Sequence, residues 1–508
     1  MFCPAGLLLL LALFGAPASP LAQQHKKLPN IIYILADDLG YGDISAYNPN
    51  GKIAAPNIDA FAKQGIRFTD AHTSSSVCSP SRYSILTGRY PWRSRMPVGV
   101  LKGYSMTLIE KGLPTVVSLL KSRSCRTVVA GKRHLGLDWV LKDAHQDSLK
   151  NELFGISQDI HPDHIEWSRS LVAGPLTQRF DYSFILPASL DMPPYCYVEN
   201  DTLTEIPSHY TRGNMLESGF TGSFWREGLM SPSFGFSDVL PFFTRKASDF
   251  IKKQHRGGHP FFLYFPMPAP HTPWMPRPEY RGTSGAGEYG DFVQQMDATV
   301  GKLLFLLDSL GMSDNTMVVF TSDNGPYWRD NFMQQFGHRA AIEFRGMKGD
   351  THEGGHRVPF IARYPGKVRP GSVSHATTTL ANLMATCAAL VGEKNPAYET
   401  EDSYSILPVL TGRSTSVMDQ PAIINISSRG IFDIRKGNWK LITALGSGGF
   451  TAPSDIRPPA GGPTGQLYDL ENDIHEDRNL FQEQPEKVKE LLSLLEKIQH
   501  APRGRQFK

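Results

Sequence analysis

The chain is poor in cysteine, in long apolar runs and in excess charge of either sign. Its 508 residues include five cysteines with no pair at a metal-binding spacing, which predicts buried free thiols or at most one disulfide. A formal net charge of +3 gives no support for binding to nucleic acid or to a membrane surface. No run approaches the ~20 apolar residues that a membrane-spanning helix needs. The length and the ordinary composition predict a large globular core with one further, smaller domain.

The N-terminus carries a short apolar segment, residues 7–14, followed by small residues at the spacing of a signal-peptidase site. The segment is too short to cross a bilayer. We predict a signal peptide over residues 1–22, and therefore the secretory pathway with an extracellular or lysosomal destination, or a periplasm in a bacterium. Triplets at Asn200 and Asn425 fit the pattern for N-glycosylation, which predicts a glycoprotein.

Apolar segments with β-type composition are each followed by a cluster of polar residues. They span residues 30–36, 127–130, 261–265 and 317–320. Their near-continuous apolar character predicts a sheet that is covered on both faces and mostly parallel. Helical patterns at 56–64 and 292–310 lie between them, which predicts an α/β fold. In such folds the site lies beyond the carboxyl ends of the strands, where each polar cluster is found.

The chain changes character near residue 419. Short strand patterns and an amphipathic helix over 485–498 predict a small α+β subdomain over 419–508. Residues 27–418 are predicted to form the larger domain, with a large mixed, mostly parallel sheet flanked by helices. Within it, residues 139–236 lack periodicity and are rich in proline, serine and aromatics, so we expect loops around the site.

Two pairs of oxygen-bearing side chains follow predicted strands. Asp37 and Asp38 follow the predicted strand over 30–36, and Asp323 and Asn324 follow the one over 317–320. Four oxygen ligands without a neighbouring cysteine suit a hard divalent cation, Ca²⁺ or Mg²⁺. Aspartate and asparagine also cap helices and make turns, so composition alone leaves a metal site open.

The motif at Cys78 is the most informative stretch of the chain. Residues 78–82 read C-S-P-S-R, and residues 86–89 read L-T-G-R. The pair resembles the signature of type I sulfatases, which are arylsulfatase-like members of the alkaline phosphatase superfamily. In that family a formylglycine-generating enzyme oxidises the cysteine to an aldehyde, and the hydrated aldehyde attacks a sulfate ester. The resemblance implies that Cys78 is the precursor of the nucleophile. Arg82, on a short helix predicted over 81–87, would hold the hydrate and the metal region in place.

Further positions match the family pattern in order. The resemblance implies Ca²⁺ bound by Asp37, Asp38, Asp323 and Asn324. Residues 131–136, G-K-R-H-L-G, resemble the family's G-K-W-H-L-G. Lys132 would neutralise a sulfate oxygen, and His134 would take a proton from the second hydroxyl of the hydrate.

Two more residues are expected to act on the leaving oxygen, which bridges the sulfate and the rest of the ester. His271, in P-H-T-P, resembles a sulfate-binding histidine of the family, and Lys348 precedes the family-like run E-G-G-H-R-V-P. Together they would bind and protonate the bridging oxygen of the ester. Ser189 matches a serine that contacts sulfate in some family members.

Arg133 departs from the family pattern, which has tryptophan at that place. If the strand continues this far, alternation puts Lys132 and His134 on one face and Arg133 on the other. We therefore expect Arg133 to affect packing more than chemistry.

The resemblance covers residues 30 to about 480 and predicts a sulfuric ester hydrolase with its catalytic domain over 27–418. A sulfated saccharide is favoured over another sulfated small molecule, because no long apolar hairpin suggests a membrane-dissolved steroid. Two alternatives stay open. One is a phosphonate or phosphate monoester hydrolase of the same superfamily, and the other is a non-catalytic protein that binds sulfated glycans.

Overall fold

The computed structural model of the protein describes residues 1–2, 28–143, 159–214, 222–395, 398 and 400–501. Apart from residues 1–2, the predicted signal peptide lies outside these residues. Within the described ranges, no helix is both long enough and apolar enough to cross a membrane.

A ten-stranded mixed sheet organises the larger part of the chain. The strands of the described residues are β1 Asn30–Ala36, β2 Ile66–Phe68, β3 Ala71–His72, β4 Arg126–Lys132, β5 Tyr182–Leu186, β6 Val198–Glu199, β7 Thr202–Leu203, β8 His209–Thr211, β9 Gly228–Met230, β10 Phe261–Pro266, β11 Thr316–Ser322, β12 Phe360–Arg363, β13 Ser372–Ser374, β14 Thr378–Thr379, β15 Ile423–Ile426, β16 Phe432–Lys436, β17 Trp439–Ile442 and β18 Gln466–Asp469. The order in the large sheet is β13-β2-β12-β11-β1-β10-β4-β5-β6-β7. Its central strands, from β11 to β5, all pair in parallel.

Helices cover both faces of this sheet. In the described residues they are α1 Pro56–Gln64, α2 Cys78–Thr87, α3 Val116–Ser122, α4 Val239–Gly257, α5 Gly287–Ser309, α6 Asp330–Phe336, α7 Glu353–His356, α8 Leu383–Val391, α9 Leu407–Leu410 and α10 Pro485–Gln499. Short 3-10 turns lie at Tyr41–Asp43, Pro91–Arg93, Pro162–His164, Phe236–Asp238, Pro278–Tyr280, Ser313–Asn315 and Leu380–Asn382. The predicted α/β fold is confirmed.

The apolar strands are buried on both faces, as their composition predicts. In β1, Ile32 and Ile34 pack into one hydrophobic cluster, whereas Ile31, Tyr33 and Leu35 pack into another on the opposite side. Successive side chains of one strand therefore contribute to two hydrophobic cores, one on each face of the sheet. A sheet held from both sides is a rigid platform for the segments that follow its strand ends.

The expectation that residues 139–236 form only loops was wrong. Tyr182–Leu186 is a strand of the large sheet and pairs in parallel with β4. Five residues are too few to give a visible period, and the burial of this strand comes from its neighbours in space. The stretch from Pro187 to Tyr195 does form a connecting segment at the carboxyl end of β5.

The end of the chain forms a small α+β unit, as predicted. Strands β15 to β18 make a four-stranded antiparallel sheet. Helix α10 packs on it through Leu491 and Leu495, which share a hydrophobic cluster with Ile434 and Leu441. The boundary at residue 419 stays a prediction.

A fully buried ion pair, between Lys440 and Glu353, joins this small sheet to the larger domain. Lys440 Nζ on β17 lies 3.1 Å from Glu353 Oε1 and 2.9 Å from Glu476 Oε1. Buried charges persist only when they are paired in this way. The residues that follow Lys348 are therefore anchored against the C-terminal sheet.

The cysteines and one of the two sequons can be judged directly. All four described cysteines are buried free thiols, as expected. Asn425 lies in β15 with 2% of its surface exposed, and its side-chain amide donates to Asp433 at 2.8 Å. A glycan on that nitrogen is incompatible with this packing, so the prediction of a glycoprotein rests on Asn200 and stays a prediction. Asn200 is partly exposed in a turn between β6 and β7.

Candidate active site

The predicted site residues meet at the carboxyl ends of the parallel strands. Asp37 and Asp38 follow β1, Lys132 ends β4, Ser189 follows β5, His271 follows β10, and Asp323 and Asn324 follow β11. Parallel strands present these ends at one edge of a sheet, so side chains that are far apart in sequence converge there. The structure brings all the predicted site residues together, with none left outside the cluster.

Helix α2 begins at Cys78 and not at Ser81 as predicted. Pro80 was taken as a residue that precedes the helix, but it lies inside the first turn. It is tolerated there because the first backbone N–H groups of a helix have no intrahelical partner. The earlier start places Cys78 and Arg82 four residues apart on one helix face.

The thiol of Cys78 is buried among charged groups. Its Sγ lies 3.6 Å from Lys132 Nζ and 3.8 Å from Asp37 Oδ1. Burial raises the pKa of the Cys78 thiol to about 12, although Lys132 and Lys348 act in the opposite direction. An unmodified thiol at this place stays protonated at neutral pH and is a poor nucleophile, because the thiolate is the reactive form.

Arg82 and Lys132 neutralise two of the buried carboxylates. Arg82 Nη2 lies 2.8 Å from Asp323 Oδ2 and 3.3 Å from Asp37 Oδ1. Its Nη1 donates to the backbone carbonyl of Lys132 at 2.7 Å, and Lys132 Nζ lies 2.5 Å from Asp37 Oδ2. These side chains are inaccessible to solvent, so their positions are fixed by each other.

Asp38 is the centre of a second group of contacts. Its φ of 63° turns the chain sharply after β1. Asp38 Oδ2 lies 2.7 Å from Lys348 Nζ, and Asp38 Oδ1 accepts a hydrogen bond of 2.7 Å from Asn324 Nδ2. The backbone N–H of Asp38 donates to Asp323 Oδ1 at 3.2 Å. One segment thus contacts both residues of the late carboxylate-amide pair.

The donor set around Asp38 fits a hard cation. The side-chain oxygen of Asn324 is buried and has no hydrogen-bond partner among the described residues. Burial raises the pKa of Asp37 to about 7; the charges of Lys132 and Arg82 oppose this rise, and repulsion from Asp323 and Asp38 adds to it. Clustered carboxylates and a free amide oxygen are the ligands that Ca²⁺ and Mg²⁺ prefer.

A second group of potential ligands is already occupied by cations. His72, Glu353 and His356 lie close enough together to share an ion. Lys440 Nζ lies 3.1 Å from both Glu353 Oε1 and His356 Nε2, and Arg435 Nη1 lies 3.2 Å from His72 Nε2. Like charges exclude a metal there.

His134 is arranged as a neutral base. Its Nε2 lies 2.6 Å from the carbonyl oxygen of Leu101, which assigns the ring proton to Nε2. Its Nδ1 is buried with no partner among the residues described. Burial, with help from Lys132 and Arg82, holds the pKa of His134 well below its usual value. An unpaired ring nitrogen in this state can accept a proton.

His271 lies between the two groups of contacts. Ser189 Oγ is 3.1 Å from His271 Nε2 and also 3.1 Å from Lys132 Nζ. His271 Nε2 is 3.6 Å from Asp38 Oδ2. Burial, followed by the charges of Lys348 and Lys132, lowers the pKa of His271 well below its usual range. Ser189 and His271 therefore connect the side of the site that holds Lys132 to the side that holds Lys348.

Arg133 turns away from the site, but not for the reason predicted. Strand β4 ends at Lys132, and His134 has a left-handed φ of 53°, so simple alternation does not reach it. The buried guanidinium donates to the carbonyl of Gly136 and lies 3.5 Å from Thr107 Oγ1. Burial lowers the pKa of Arg133 to about 10. The folded state thus disfavours the charged form.

We expect replacement of Arg133 to raise stability. A base whose pKa is depressed in the folded state costs stability at neutral pH, and an apolar substitute removes that cost. Arg133→Met keeps the volume and Arg133→Trp restores the family residue, and each should stabilise the fold by about 1 kcal/mol. Thermal unfolding and the Michaelis constant check this together. A large change in the Michaelis constant at unchanged melting temperature would mean that Arg133 faces the substrate.

A cavity of about 480 Å³ opens above Cys78. Asp38, His134, His271 and Lys348 line its floor. Its wall contains Val77, Val100, Asp191, Met192, Phe224, Arg226, Thr272, Tyr327, Arg329, Arg429, Gly449, Phe450, Ala452 and Ser454. Several of these come from the C-terminal unit, so both parts of the chain shape the entrance.

Sequence reasoning missed Asp191. The residue is 2% exposed, and one of its oxygens is paired with Arg226. The other oxygen, Oδ1, is buried without a hydrogen-bond partner in the described part of the chain, and it lies 3.9 Å from His271 Nδ1. The one available signal was its position two residues after Ser189. An unpartnered carboxylate oxygen in a cavity wall is suited to accept a ligand hydroxyl.

Comparison with known proteins agrees with this geometry. The family model described as Sulfatase matches residues 29–393. The chain is 32% identical to an N-acetylgalactosamine-6-O-sulfatase of Bacteroides thetaiotaomicron, over 94% of each protein. It is also 32% identical to human arylsulfatase A, over 98% of this chain and 91% of that protein. The chain belongs to the sulfatase family. Its activity class is that of a sulfuric ester hydrolase.

Solved structures support the same assignment. A Bacteroides thetaiotaomicron structure, described under the metabolism of multiple glycosaminoglycans, superposes with a TM-score of 0.79 at 30% identity, covering 94% of this chain and all of that one. A phosphonate monoester hydrolase of Agrobacterium radiobacter superposes at a TM-score of 0.58 and 16% identity, covering 92% and 96% of the two chains. At that identity the likeness shows the fold alone.

Proposed function

We propose that the protein hydrolyses sulfate esters of a saccharide, with formylglycine at residue 78 and a bound divalent cation, Ca²⁺ by family resemblance. The supporting observation is the surroundings of Cys78. Its protonated thiol lies at the floor of the cavity, at a helix N-terminus that favours anions, and 3.6 Å from Lys132 Nζ. A cysteine held in this state is useful as the precursor of a different nucleophile.

Asp37, Asp38, Asp323 and Asn324 would hold the cation. The orphan oxygen of Asn324 and the clustered carboxylates support this donor set. When bound, the cation would supply positive charge to sulfate oxygens. Arg82 fixes the positions of two of these carboxylates through its ion pairs with Asp37 and Asp323.

The remaining polar side chains divide between sulfate and leaving group. Lys132 Nζ lies 3.6 Å from Cys78 Sγ, Ser189 Oγ lies 3.1 Å from Lys132 Nζ, and both side chains would bind the sulfate oxygens. His134 would accept a proton from the hydrated aldehyde through its unpaired Nδ1. His271 and Lys348, which converge on Asp38 from the other side, would bind the bridging oxygen and supply its proton.

We expect Lys348→Ala and His271→Ala to slow esters with poor leaving groups more than activated aryl sulfates. A good leaving group needs little protonation, so loss of an acid or an electrostatic contact matters less for it. The loss on the saccharide ester is expected to be about a hundredfold. Steady-state kcat/KM on one aryl sulfate and one sulfated sugar measures the difference.

Ser189→Ala is the matched control for this prediction. It removes a contact placed on sulfate and leaves both His271 and Lys348 in the protein, although Ser189 Oγ also lies 3.1 Å from His271 Nε2. The losses on the two substrates should therefore be closer to equal than in the Lys348 and His271 variants. If Lys348→Ala and His271→Ala also show equal losses, these residues bind sulfate without acting on the leaving oxygen.

A saccharide is the proposed substrate class because the cavity wall contains a carboxylate, Asp191, that can accept a hydrogen bond from a sugar hydroxyl. Asp191 Oδ1 is free to accept a hydrogen bond, while Arg226 holds the other carboxylate oxygen. One structural neighbour is in complex with D-glucosamine-2-N,6-O-disulfate. The proposed maturation partner is a formylglycine-generating enzyme, and the proposed route is the secretory pathway or a periplasm.

A further inference from the structure

Two arginines at the mouth of the cavity come from different parts of the chain. Arg329 follows β11 of the large sheet, and Arg429 lies in the turn between β15 and β16 of the C-terminal sheet. Both are exposed, whereas Cys78 and Lys348 at the floor are 1% and 7% exposed. The cavity therefore has a buried reactive end and an outer end with its own positive charge.

The charge of these two arginines is uncompensated. Arg226, a third arginine of the wall, is paired with Asp191. Neither Arg329 nor Arg429 forms an ion pair with a carboxylate in the described ranges. At the floor, by contrast, the cations Lys132 and Lys348 are each paired with an aspartate. An anion at the mouth would meet charge that no carboxylate of the protein already neutralises.

Most exposed arginines are simply solvated, but the guanidinium of Arg329 packs on an aromatic ring, and the backbone that carries Arg429 is fixed in a turn. Arg329 lies over the ring of Tyr327 at 5.1 Å, and Tyr327 packs edge-on against Phe450 at 6.2 Å. Contact with the ring and hydroxyl of Tyr327 restricts the guanidinium of Arg329, and its five N–H donors leave some available to a ligand. Arg429 lies in a turn closed by the bond from Gly430 N–H to the carbonyl of Ser427, at 3.1 Å.

The segments that carry both arginines are tied to the backbone beside Lys348. The N–H of Lys348 donates to the carbonyl of Pro326 at 2.9 Å, three residues before Arg329. The N–H of Ser428 donates to the carbonyl of Gly349 at 3.0 Å, one residue before Arg429. The backbone that carries each arginine is therefore tied to the segment that carries Lys348, which we place on the leaving oxygen. Both arginines thus lie on the same cavity as the reactive end, at its outer side.

We infer that Arg329 and Arg429 bind a second anionic group of the substrate, on the sugar next to the one that carries the scissile ester. Planar guanidinium groups suit carboxylate and sulfate alike, because both anions accept paired hydrogen bonds. The second group is thus a uronate carboxylate or a second sulfate. This inference rests on the proposed function and adds to it a polyanionic glycan as the substrate class.

Three disaccharides with the same sulfated N-acetylhexosamine test the inference. The neighbouring sugar is neutral in the first, a uronate in the second and a neutral sugar bearing another sulfate in the third. Wild-type protein should show higher kcat/KM on one or both acidic disaccharides, and the preference should shrink as salt is added. A preference for the second disaccharide identifies the anion as a carboxylate, and a preference for the third identifies it as a sulfate.

Arg329→Ala and Arg429→Ala should each reduce the acidic-to-neutral ratio of kcat/KM by about tenfold, mainly through KM. Arg245→Ala is the matched control. Arg245 is also exposed and lies over an aromatic ring, Phe242, at 4.7 Å, but it is outside the cavity. Its variant should keep the wild-type ratio. A double variant, Arg329→Ala with Arg429→Ala, that retains the wild-type ratio would overturn the inference.

A binding experiment separates this inference from the proposed function. Wild-type protein that turns over none of the three disaccharides refutes the proposed function. Calorimetric titration of the same disaccharides into Cys78→Ala, with and without Arg329→Ala, then decides the inference alone. Tighter binding of an acidic disaccharide that Arg329→Ala abolishes supports it, and equal binding of all three contradicts it.

Discussion

Cys78→Ala is expected to abolish turnover while the protein still folds. The substitution removes the precursor of the nucleophile, and no neighbouring side chain offers the same chemistry. Loss of the nucleophile in a covalent hydrolase lowers kcat by about 10⁴-fold or more. Cooperative thermal unfolding should persist, because only one sulfur atom leaves the floor of the cavity. Sulfate release and a melting curve on the same sample measure both effects.

Cys387→Ala is the matched control for this variant. Cys387 is also a buried free thiol, but it lies in a hydrophobic cluster and not in the cavity. Its removal should leave turnover close to wild type. The tryptic peptide over residues 68–82 of active protein should be lighter than the cysteine form, since oxidation removes sulfur and two hydrogens and adds one oxygen. A peptide found only in the cysteine form, from fully active protein, would contradict the assignment of Cys78.

Removal of the cation is expected to lower both activity and stability. Asp37, Asp38 and Asp323 would then repel one another at close range in a buried site, relieved only by the neighbouring lysines and arginine. A ligand present at a hundred times its dissociation constant stabilises the fold by about 3 kcal/mol, so exhaustive chelation should lower the melting temperature accordingly. Metal analysis of the purified protein, before and after chelation, accompanies both measurements.

A pair of variants at Asn324 controls for indirect effects of the chelator. Asn324→Leu keeps the size of the side chain but removes the orphan oxygen, so metal retention should fall. Asn324→Asp keeps an oxygen at that place and should retain the ion better. Equal metal content in both variants would show that Asn324 is not a ligand. Wild-type protein that holds no metal and does not respond to chelation would contradict the cation site as a whole.

The residues at strand ends were predictable from sequence because their strands are. Asp37, Lys132 and Asp323 each lie at the end of an apolar segment whose composition is typical of a buried strand. Parallel strands place their carboxyl ends at one edge of the sheet, so these three residues were expected to lie close together. The family motif then assigned chemistry to Cys78 and Arg82. Both inferences depend on residues that are neighbours in sequence, so the sequence alone was enough to make them.

What sequence reasoning missed depends on contacts between distant segments. Strand β5 is recognisable only beside β4, and Pro80 is interpreted as a residue before the helix until α2 is seen to begin at Cys78. The orphan oxygen of Asp191 arises because Arg226 occupies its partner oxygen. The two arginines at the mouth of the cavity, Arg329 and Arg429, line one cavity only because the C-terminal sheet packs against the larger domain.

Initial rates of anion release from a matched pair of esters test the central claim most directly. A saccharide carrying a sulfate ester and the same saccharide carrying a phosphate ester at the same position are each incubated with the purified protein, and free sulfate and phosphate are quantified. The account predicts stoichiometric sulfate release at a rate well above phosphate release, with none of either from Cys78→Ala. Faster phosphate release would make the protein a phosphate ester hydrolase on a sulfatase fold. Binding of the sulfated saccharide without release of sulfate would make it a glycan-binding protein, and either result would contradict the account.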